Sequence, residues 1–551
     1  MEKTYILGSN KALLEIGGVF QTLPTNLNTN EENTIHDWIV HLLKKNDIEK
    51  IIIEIGENPQ LALQIGYHIR LSIEELKQKS LIPILFVSTF SLNTVLIKSD
   101  LYSQILATKG VSFCEFDLDI IKAEITHLEG LTENDYSTGF LRIIHIQPDE
   151  TIGRHSLANI WGAYTMERSA NTNALSADIE FKKTLYFKYI SAFNNLDKLK
   201  PSSLKIVDKI VLGNANHIKS DGKRILLIDD EADKGWETVL RSVFNIKNHE
   251  DFVVIKERVK DYEAFSEKSK KIIETEMFDL YLIDLRLNGL KEEGILNTKD
   301  FSGMKVLKKI KSINEGNQVI IFTASNKTWN LKSLLDAGAD GYYMKESPEY
   351  HFSSKISEQN YLEFKENVIN CFDRGYLRDV FTHWEKAKSK KTNPNEKFIQ
   401  ESTTALEVAW ELIKKGFLDF GFLTLFQFIE YCANKLFKYD ENLDIYTMND
   451  TPVIEKYNNG YKKWRLTFNK DNIDGDYFSE EDSIQKDTQQ PTTLYKVSCL
   501  LYLIYEKPNA FLQYFGKLNK LRNDIVHLGK RKTDKNDLIE LIKIIENIRT
   551  K

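Results

Sequence analysis

The stretch "RILLIDDE", residues 224–231, sets the fold: four apolar residues (225–228) stop abruptly at Asp229 and Asp230. An apolar run this short, without polar alternation, fits a strand buried on both faces of a parallel sheet. "FDLYLIDLRL" (278–287) repeats the plan and delivers Asp284. "VIIFTAS" (319–325) delivers Thr323, and "GADGYYMKE" (338–346) delivers Lys345. Helical sequence separates these runs, so a parallel sheet with helices on both faces is expected from about 224 to 350. In such sheets, functional groups collect at the carboxyl ends of the strands. Here those ends carry three carboxylates, a hydroxyl and an ammonium.

That set suits phosphoryl transfer. Clustered carboxylates attract a hard divalent cation, Mg²⁺ above all, which keeps waters and a phosphate oxygen. The metal and Lys345 neutralise charge on a phosphoryl group moving onto an aspartate. Thr323 can then hydrogen-bond the new phosphate and shift its loop. Taken in order, these residues resemble the receiver domain of two-component response regulators, over roughly residues 222–375. The resemblance implies a flavodoxin-like fold with Asp284 as phosphoacceptor and Asp229, Asp230 and Asp284 around Mg²⁺. It implies Thr323 as switch hydroxyl, Tyr342 as switch aromatic and Lys345 as the phosphate-binding lysine. It also implies a histidine kinase or phosphotransfer protein as phosphodonor. The bland alternative is a flavodoxin-like sheet with incidental acids. Two features depart from the family pattern. "NGLKEEGILNTKDFSG" inserts a long polar loop before Gly303, and Lys345 is followed by Glu346, with proline only at Pro348.

Upstream, residues 1–140 alternate in the same way: "KIIIEIG" (50–56), "PILFVST" (83–89) and "GVSFCEFD" (110–117) read as strands. Glu54 stands where a receiver-like strand would place its phosphoacceptor, and Ser88 near the switch hydroxyl. "TYILGSNK" offers no acid pair and "GVSFCEFD" no lysine, so a metal site fails there. Two readings stay open: a degenerate receiver used for docking or dimerisation, or an unrelated α/β sensor domain. Residues 141–221 form a connector, beginning with a strand-like "LRIIHIQ" and continuing as helices. In "GRHSLANIWGAY" (153–164), Ser156 reads as an N-cap and Trp161 as a packing anchor. The less favoured reading gives His155 a phosphoryl group or an anion.

Downstream, the receiver-like segment runs over 222–385, and "KAKSKKTNPNEK" (386–397) reads as a linker. Residues 398–551 read as a helical bundle with a polar, acidic insertion at 440–492. In "FLQYFGKLNKLRNDIVHLGK", Phe511, Phe515, Leu518, Leu521, Ile525 and Leu528 recur at helical steps and form a packing face. Arg522 and His527, five apart, point about 140° away from each other on a regular helix. Such a pair is competent for metal-independent RNA cleavage. Histidine moves protons near neutral pH, and a guanidinium stabilises a phosphorane. Asn523 can orient either group, and Lys517, Lys520, Lys530, Arg531 and Lys532 form a local basic patch. Arg522, Asn523 and His527 resemble the motif of HEPN helical-bundle domains. Many of these act as dimeric ribonucleases in toxins, CRISPR effectors and antiviral systems, whereas others only bind. No cofactor is implied for this domain. The bland alternative pairs Arg522 with a carboxylate such as Asp524 or Asp534, while His527 caps the helix end before Gly529.

Composition agrees with several domains: 551 residues, 42% hydrophobic, 28% charged, net charge −6. There is no global basic field to announce nucleic acid. Cys114, Cys371, Cys432 and Cys499 are too scattered for zinc or disulfides. Neither a signal peptide nor a membrane span is visible, so a cytoplasmic protein is expected. The combined expectation is a multidomain α/β plus α signalling effector, forming a homodimer. Phosphorylation at Asp284 would control RNA cleavage at Arg522/His527, in bacterial stress or phage defence by resemblance alone. The alternative is a non-enzymatic phosphorelay adaptor whose helical domain binds a protein or nucleic acid.

Overall fold

The computed structural model describes residues 3–24, 27–30, 32–148, 153–172, 174–176, 184–199, 216–292, 295, 297–324, 328–349, 352–390, 395–468, 478–480, 482–504, 509–527 and 532–550. The chain divides into two compact units, residues 1–308 with 319–371 and residues 309–318 with 372–551.

The first unit holds two parallel sheets of the same topology. Strands β1 (Thr4–Leu7), β2 (Val19–Gln21), β3 (Lys50–Ile55), β4 (Ile84–Ser88) and β5 (Val111–Glu115) are ordered β2-β1-β3-β4-β5. Strands β6 (Ile225–Ile228), β7 (Phe252–Ile255), β8 (Leu280–Asp284), β9 (Val319–Thr323) and β10 (Gly341–Met344) are ordered β10-β9-β8-β6-β7. Both are the doubly wound order 2-1-3-4-5, which opens a crevice at the carboxyl ends of its first and third strands. The central strands β4, β6, β8 and β9 are buried at every position, as their unbroken apolar runs require. Behind the second sheet's crevice, Trp236, Phe322, Tyr343 and Phe364 pack ring against ring, with centroids 5.2–6.0 Å apart.

Between the sheets in sequence runs the helix Arg154–Ala170, the connector helix. Trp161 stacks on Phe187 of the helix Leu185–Asn194, at 5.6 Å and 12°. Two expectations fail here. "LRIIHIQ" is not a strand: it follows a π-helical turn at Tyr136–Phe140, and Leu141 and Ile144 are buried three residues apart. That is turn spacing, not strand spacing. Ser156 is not the N-cap, because the helix starts two residues earlier, behind Gly153.

The second unit contains the helices Tyr376–Ser389, Glu396–Lys414, Leu418–Leu436, Thr493–Ile504, Asn509–Val526 and Lys535–Thr550. The helix Tyr376–Ser389 belongs to it: Phe381, Trp384 and Trp410 form an aromatic cluster, and Trp384 Nε1 donates to the Leu406 carbonyl at 2.7 Å. The division therefore falls after Cys371, ahead of the basic stretch 386–397, whose residues 391–394 lie outside the described residues. Glu315 joins this unit by accepting from Trp410 Nε1 and Lys414. Arg549 is fully buried and donates to Ser402, Thr403 and the carbonyls of Lys388 and Lys390, tying the last helix to its neighbours.

The polar insertion expected at 440–492 is itself folded, as strands. Strands β11 (Phe437–Asp440), β12 (Ile445–Met448), β13 (Thr451–Asn458) and β14 (Tyr461–Trp464) follow the helix Leu418–Leu436, then the small pair β15 (Thr467–Phe468) and β16 (Phe478–Ser479), then β17 (Ser483–Lys486). β11, β12, β13, β14 and β17 make one antiparallel sheet. Asn449 and Asp450, both with positive φ, turn β12 into β13, and Gly460 at φ 84° turns β13 into β14. Among the described residues no helix is long and apolar enough to cross a membrane.

Candidate phosphoacceptor site

β6 ends by placing Asp229 and Asp230 at the crevice, and β8 ends on Asp284. One oxygen from each lies within 4.8 Å of the others. Lys345, directly after β10, reaches back to them. Its Nζ is 2.7 Å from Asp284 Oδ1 and 3.0 Å from Asp229 Oδ2. Burial alone would lower the lysine's pKa, but Asp229 and Asp284 outweigh it and raise it, so the ammonium is firmly charged. Asp230 is pushed the other way. Burial first, then the charges of Asp284 and Asp229, raise its carboxyl to about 7, against the opposing Arg258, whose Nε lies 3.1 Å from Oδ2.

The donor set fits Mg²⁺. All three groups offer oxygen, and Asp230 Oδ1 is buried without a hydrogen-bond partner. A divalent ion would satisfy that atom and relieve the crowding that pushes Asp230 up. Thr323 ends β9, is buried, and its carbonyl accepts from the Lys345 amide at 2.7 Å. A small pocket at the centre is lined by Asp284, Arg286, Thr323 and Lys345 together with Ala158 and Asn159. Tyr342 is half-buried opposite Ile321, whereas Tyr343 points into the aromatic core. The long loop before Gly303 leaves the centre intact. Its Glu292 accepts from the Ser302 amide and hydroxyl, and Gly303 packs so closely that a Cβ there would lie 2.2 Å from the Asp284 carbonyl.

The sequence reading missed four participants. Glu231 accepts from Ser156 Oγ at 2.7 Å and from Asn159 Nδ2 at 2.9 Å, both on the connector helix. Asn159 Oδ1 in turn accepts from Lys345 Nζ at 2.6 Å, and Arg258 neutralises Asp230 from outside the expected set. The one available signal was a polar Asn159 on a helix face between Leu157 and Trp161. For the neighbouring Arg154 and His155, the side chains lie outside the described residues.

Glu346, next to Lys345, is buried, and burial raises its carboxyl to about 7 although Ser357 Oγ donates to it at 2.7 Å. With a raised folded-state pKa, its contribution to stability is fully present below about pH 4.3 and lost as pH rises through about 7. Glu346→Gln should therefore be close to wild type at pH 4.5 and more stable by roughly 2–3 kcal/mol at pH 8. Urea denaturation at the two pH values checks this.

In the first sheet, the equivalent position is closed. Glu54 Oε2 accepts from the Ser9 amide, from the Asn10 amide at 2.9 Å and from Ser9 Oγ at 3.2 Å. Gly8 and Ser9 stand after β1 where the second sheet has its acid pair, and the amides of Ser9 and Asn10 take the place of a metal. Ser88 Oγ is used locally, donating to the Ile55 carbonyl.

In the second unit, Phe515, Leu518 and Leu521 are fully buried, as their spacing requires. Arg522 is half-buried, donates to Asn523 Oδ1 at 3.0 Å and pairs with Glu430 at 3.5 Å, not with Asp524 or Asp534. His527 lies just past the helix end, exposed, its amide still bonded to the Asn523 carbonyl. Among the described residues its ring has no partner, and no hydrogen bond joins it to Arg522. Of the basic patch, Lys530 and Arg531 lie outside the described residues, as does Gly529.

Residues 9–114 match the family described as Inactive Receiver domain. Among solved structures, a CheY-like response regulator receiver domain protein from Methanospirillum hungatei JF-1 matches at 26% identity, covering 26% of this chain and 98% of that one, with a TM-score of 0.17. No curated protein matches the chain. The family match accords with a first sheet whose acid is closed by backbone amides, whereas in the second sheet three carboxylates converge within 4.8 Å of one another.

Proposed function

We propose that this chain is a phosphorylation-controlled signalling protein in which Asp284 accepts a phosphoryl group with the help of Mg²⁺. The supporting observation is the convergence of Asp229, Asp230, Asp284 and the charged Lys345 on one crevice. Asp229, Asp230 and Asp284 would hold the ion, which supplies charge neutralisation. An Asp284 carboxylate oxygen bonds to the phosphorus of a donor, a phosphohistidine of a kinase or phosphotransfer protein, while the P–N bond breaks. The electron pair leaves with the histidine nitrogen, which takes up a proton. Lys345 lies where it neutralises charge on the incoming oxygens, and Thr323 at the end of β9 donates to the product. Phosphoramidate, a small donor with the same P–N bond, should place one phosphoryl group on the wild-type protein in Mg²⁺ and none in EDTA. Equal labelling in the two would overturn the metal assignment, and no labelling in Mg²⁺ would overturn the reading.

The output we propose is RNA cleavage by the HEPN-like second unit, with Arg522 and His527 acting across two copies of the chain. The exposed His527, just past the helix end, and the anchored Arg522, not hydrogen-bonded to it among the described residues, favour a composite site over a single-chain one. The adaptor reading, in which this unit only binds a partner, predicts no cleavage in any phosphorylation state.

A further inference from the structure

We propose that Asn159, on the connector helix and outside the receiver-type fold, is a positioning residue of the phosphoacceptor site. Its amide holds Lys345 and Glu231 in the resting state and releases Lys345 when Asp284 carries a phosphoryl group. The proposal rests on the reading of Asp284 as phosphoacceptor and adds the element that senses the event.

An ammonium has three N–H donors. Those of Lys345 face three oxygens: Asn159 Oδ1 at 2.6 Å, Asp284 Oδ1 at 2.7 Å and Asp229 Oδ2 at 3.0 Å. All are buried, and Asn159 is only 2% exposed. A phosphoryl group on Asp284 adds anionic oxygens within reach of the same ammonium, so one acceptor must be given up. Hydrogen bonds to charged acceptors are the stronger ones. The neutral amide of Asn159 is therefore the partner that yields. Space points the same way, because Ala158 and Asn159 line the pocket a phosphoryl group would enter.

The helix is built for this close contact. Gly162 faces the receiver, where a Cβ would lie 2.9 Å from Trp236 and 3.5 Å from Lys345 Cβ. Trp236 Nε1 donates to the same Asn159 oxygen at 3.1 Å, so the indole shares the acceptor that Lys345 would leave. At its other end the helix is tied to the first sheet's domain. Arg168 pairs with Glu74 at 2.6 Å and donates to Asn195, which itself donates to Glu74 at 2.8 Å. Asn159 and Arg168 are about 13 Å apart along the helix axis. Phosphorylation would thus loosen one end of a rod whose other end is anchored on the inactive-receiver-like domain. By reciprocity, weakening the rod's grip on Lys345 favours phosphorylation.

The test uses full-length protein carrying 5-fluorotryptophan, with Trp236→Phe identifying the Trp236 fluorine resonance among those of the seven tryptophans. Phosphoramidate and Mg²⁺ are added, and labelling is followed by intact mass. The Trp236 resonance should shift as wild type is labelled. Asn159→Ala should label about tenfold faster, the loss of one charge-assisted hydrogen bond from the resting state. Labelling of wild type with the resonance unmoved overturns the proposal and leaves the phosphoacceptor reading standing, as does an Asn159→Ala rate equal to or below wild type. Absence of labelling in wild type overturns both. If Asn159→Ala does not fold, the wild-type resonance decides alone.

Discussion

Replacing Lys345 with methionine should destabilise the receiver-type domain by about 3–5 kcal/mol in metal-free buffer, the cost of leaving buried charge uncompensated. The lysine pairs with both Asp229 and Asp284, whose side chains are 1% and 4% exposed. Methionine keeps the length and apolar stem, so the loss is of charge rather than volume. The two carboxylates would then face each other and Asp230, while the nearby Arg258 guanidinium is paired with Asp230 and Glu231. Native-state hydrogen exchange of the β8 amides is the suitable readout in a chain of several units. It should accelerate by about 10²–10⁴-fold. Mg²⁺ should recover much of the loss, because an ion that binds only the folded site stabilises it, by about 2.7 kcal/mol at a hundredfold excess over its dissociation constant. A change below about 1 kcal/mol, or one indifferent to Mg²⁺, would show that the carboxylates do not depend on this cation.

His527→Ala should abolish RNA cleavage, by about 10²–10⁴-fold for loss of a general acid or base. Arg522→Ala should follow, at about 10²–10³-fold for loss of electrostatic stabilisation. Stability separates the two variants. His527 is exposed beyond the helix end, so its loss should leave unfolding unchanged, whereas Arg522 supports a half-buried ion pair with Glu430. Because the two residues are not joined within one chain, mixing the two inactive variants should restore part of the activity through mixed dimers. Cleavage of an oligoribonucleotide by phosphoramidate-treated and untreated protein measures all of these. Unchanged cleavage by His527→Ala would leave the adaptor reading in its place.

The parallel sheets were legible because buried parallel strands write themselves as unbroken apolar runs, and a terminal polar residue then marks the crevice. Asp229, Asp284, Thr323 and Lys345 could be located from that rule alone. Asn159 could not, since it lies 186 residues before Lys345 and no local pattern links them. The strands of the insertion were not legible for a different reason. Its polar and acidic composition masked a period-two pattern that the Asn449-Asp450 and Asn459-Gly460 turns punctuate. The strand expected at "LRIIHIQ" failed because β-branched residues suggested extension while burial at Leu141 and Ile144 followed a turn. Glu54 was placed correctly at its strand, but only the folded chain reveals the two amides of Ser9 and Asn10 that occupy it.

The most direct measurement is the identity of the phosphorylated residue. Wild type and Asp284→Asn are treated with phosphoramidate and Mg²⁺, acyl phosphate is reduced with borohydride, and the converted residue is mapped by mass spectrometry. Conversion at Asp284 in wild type, and none in Asp284→Asn, is the predicted result. A phosphoryl group on His155 or on another aspartate, or labelling that persists in Asp284→Asn, would contradict the account.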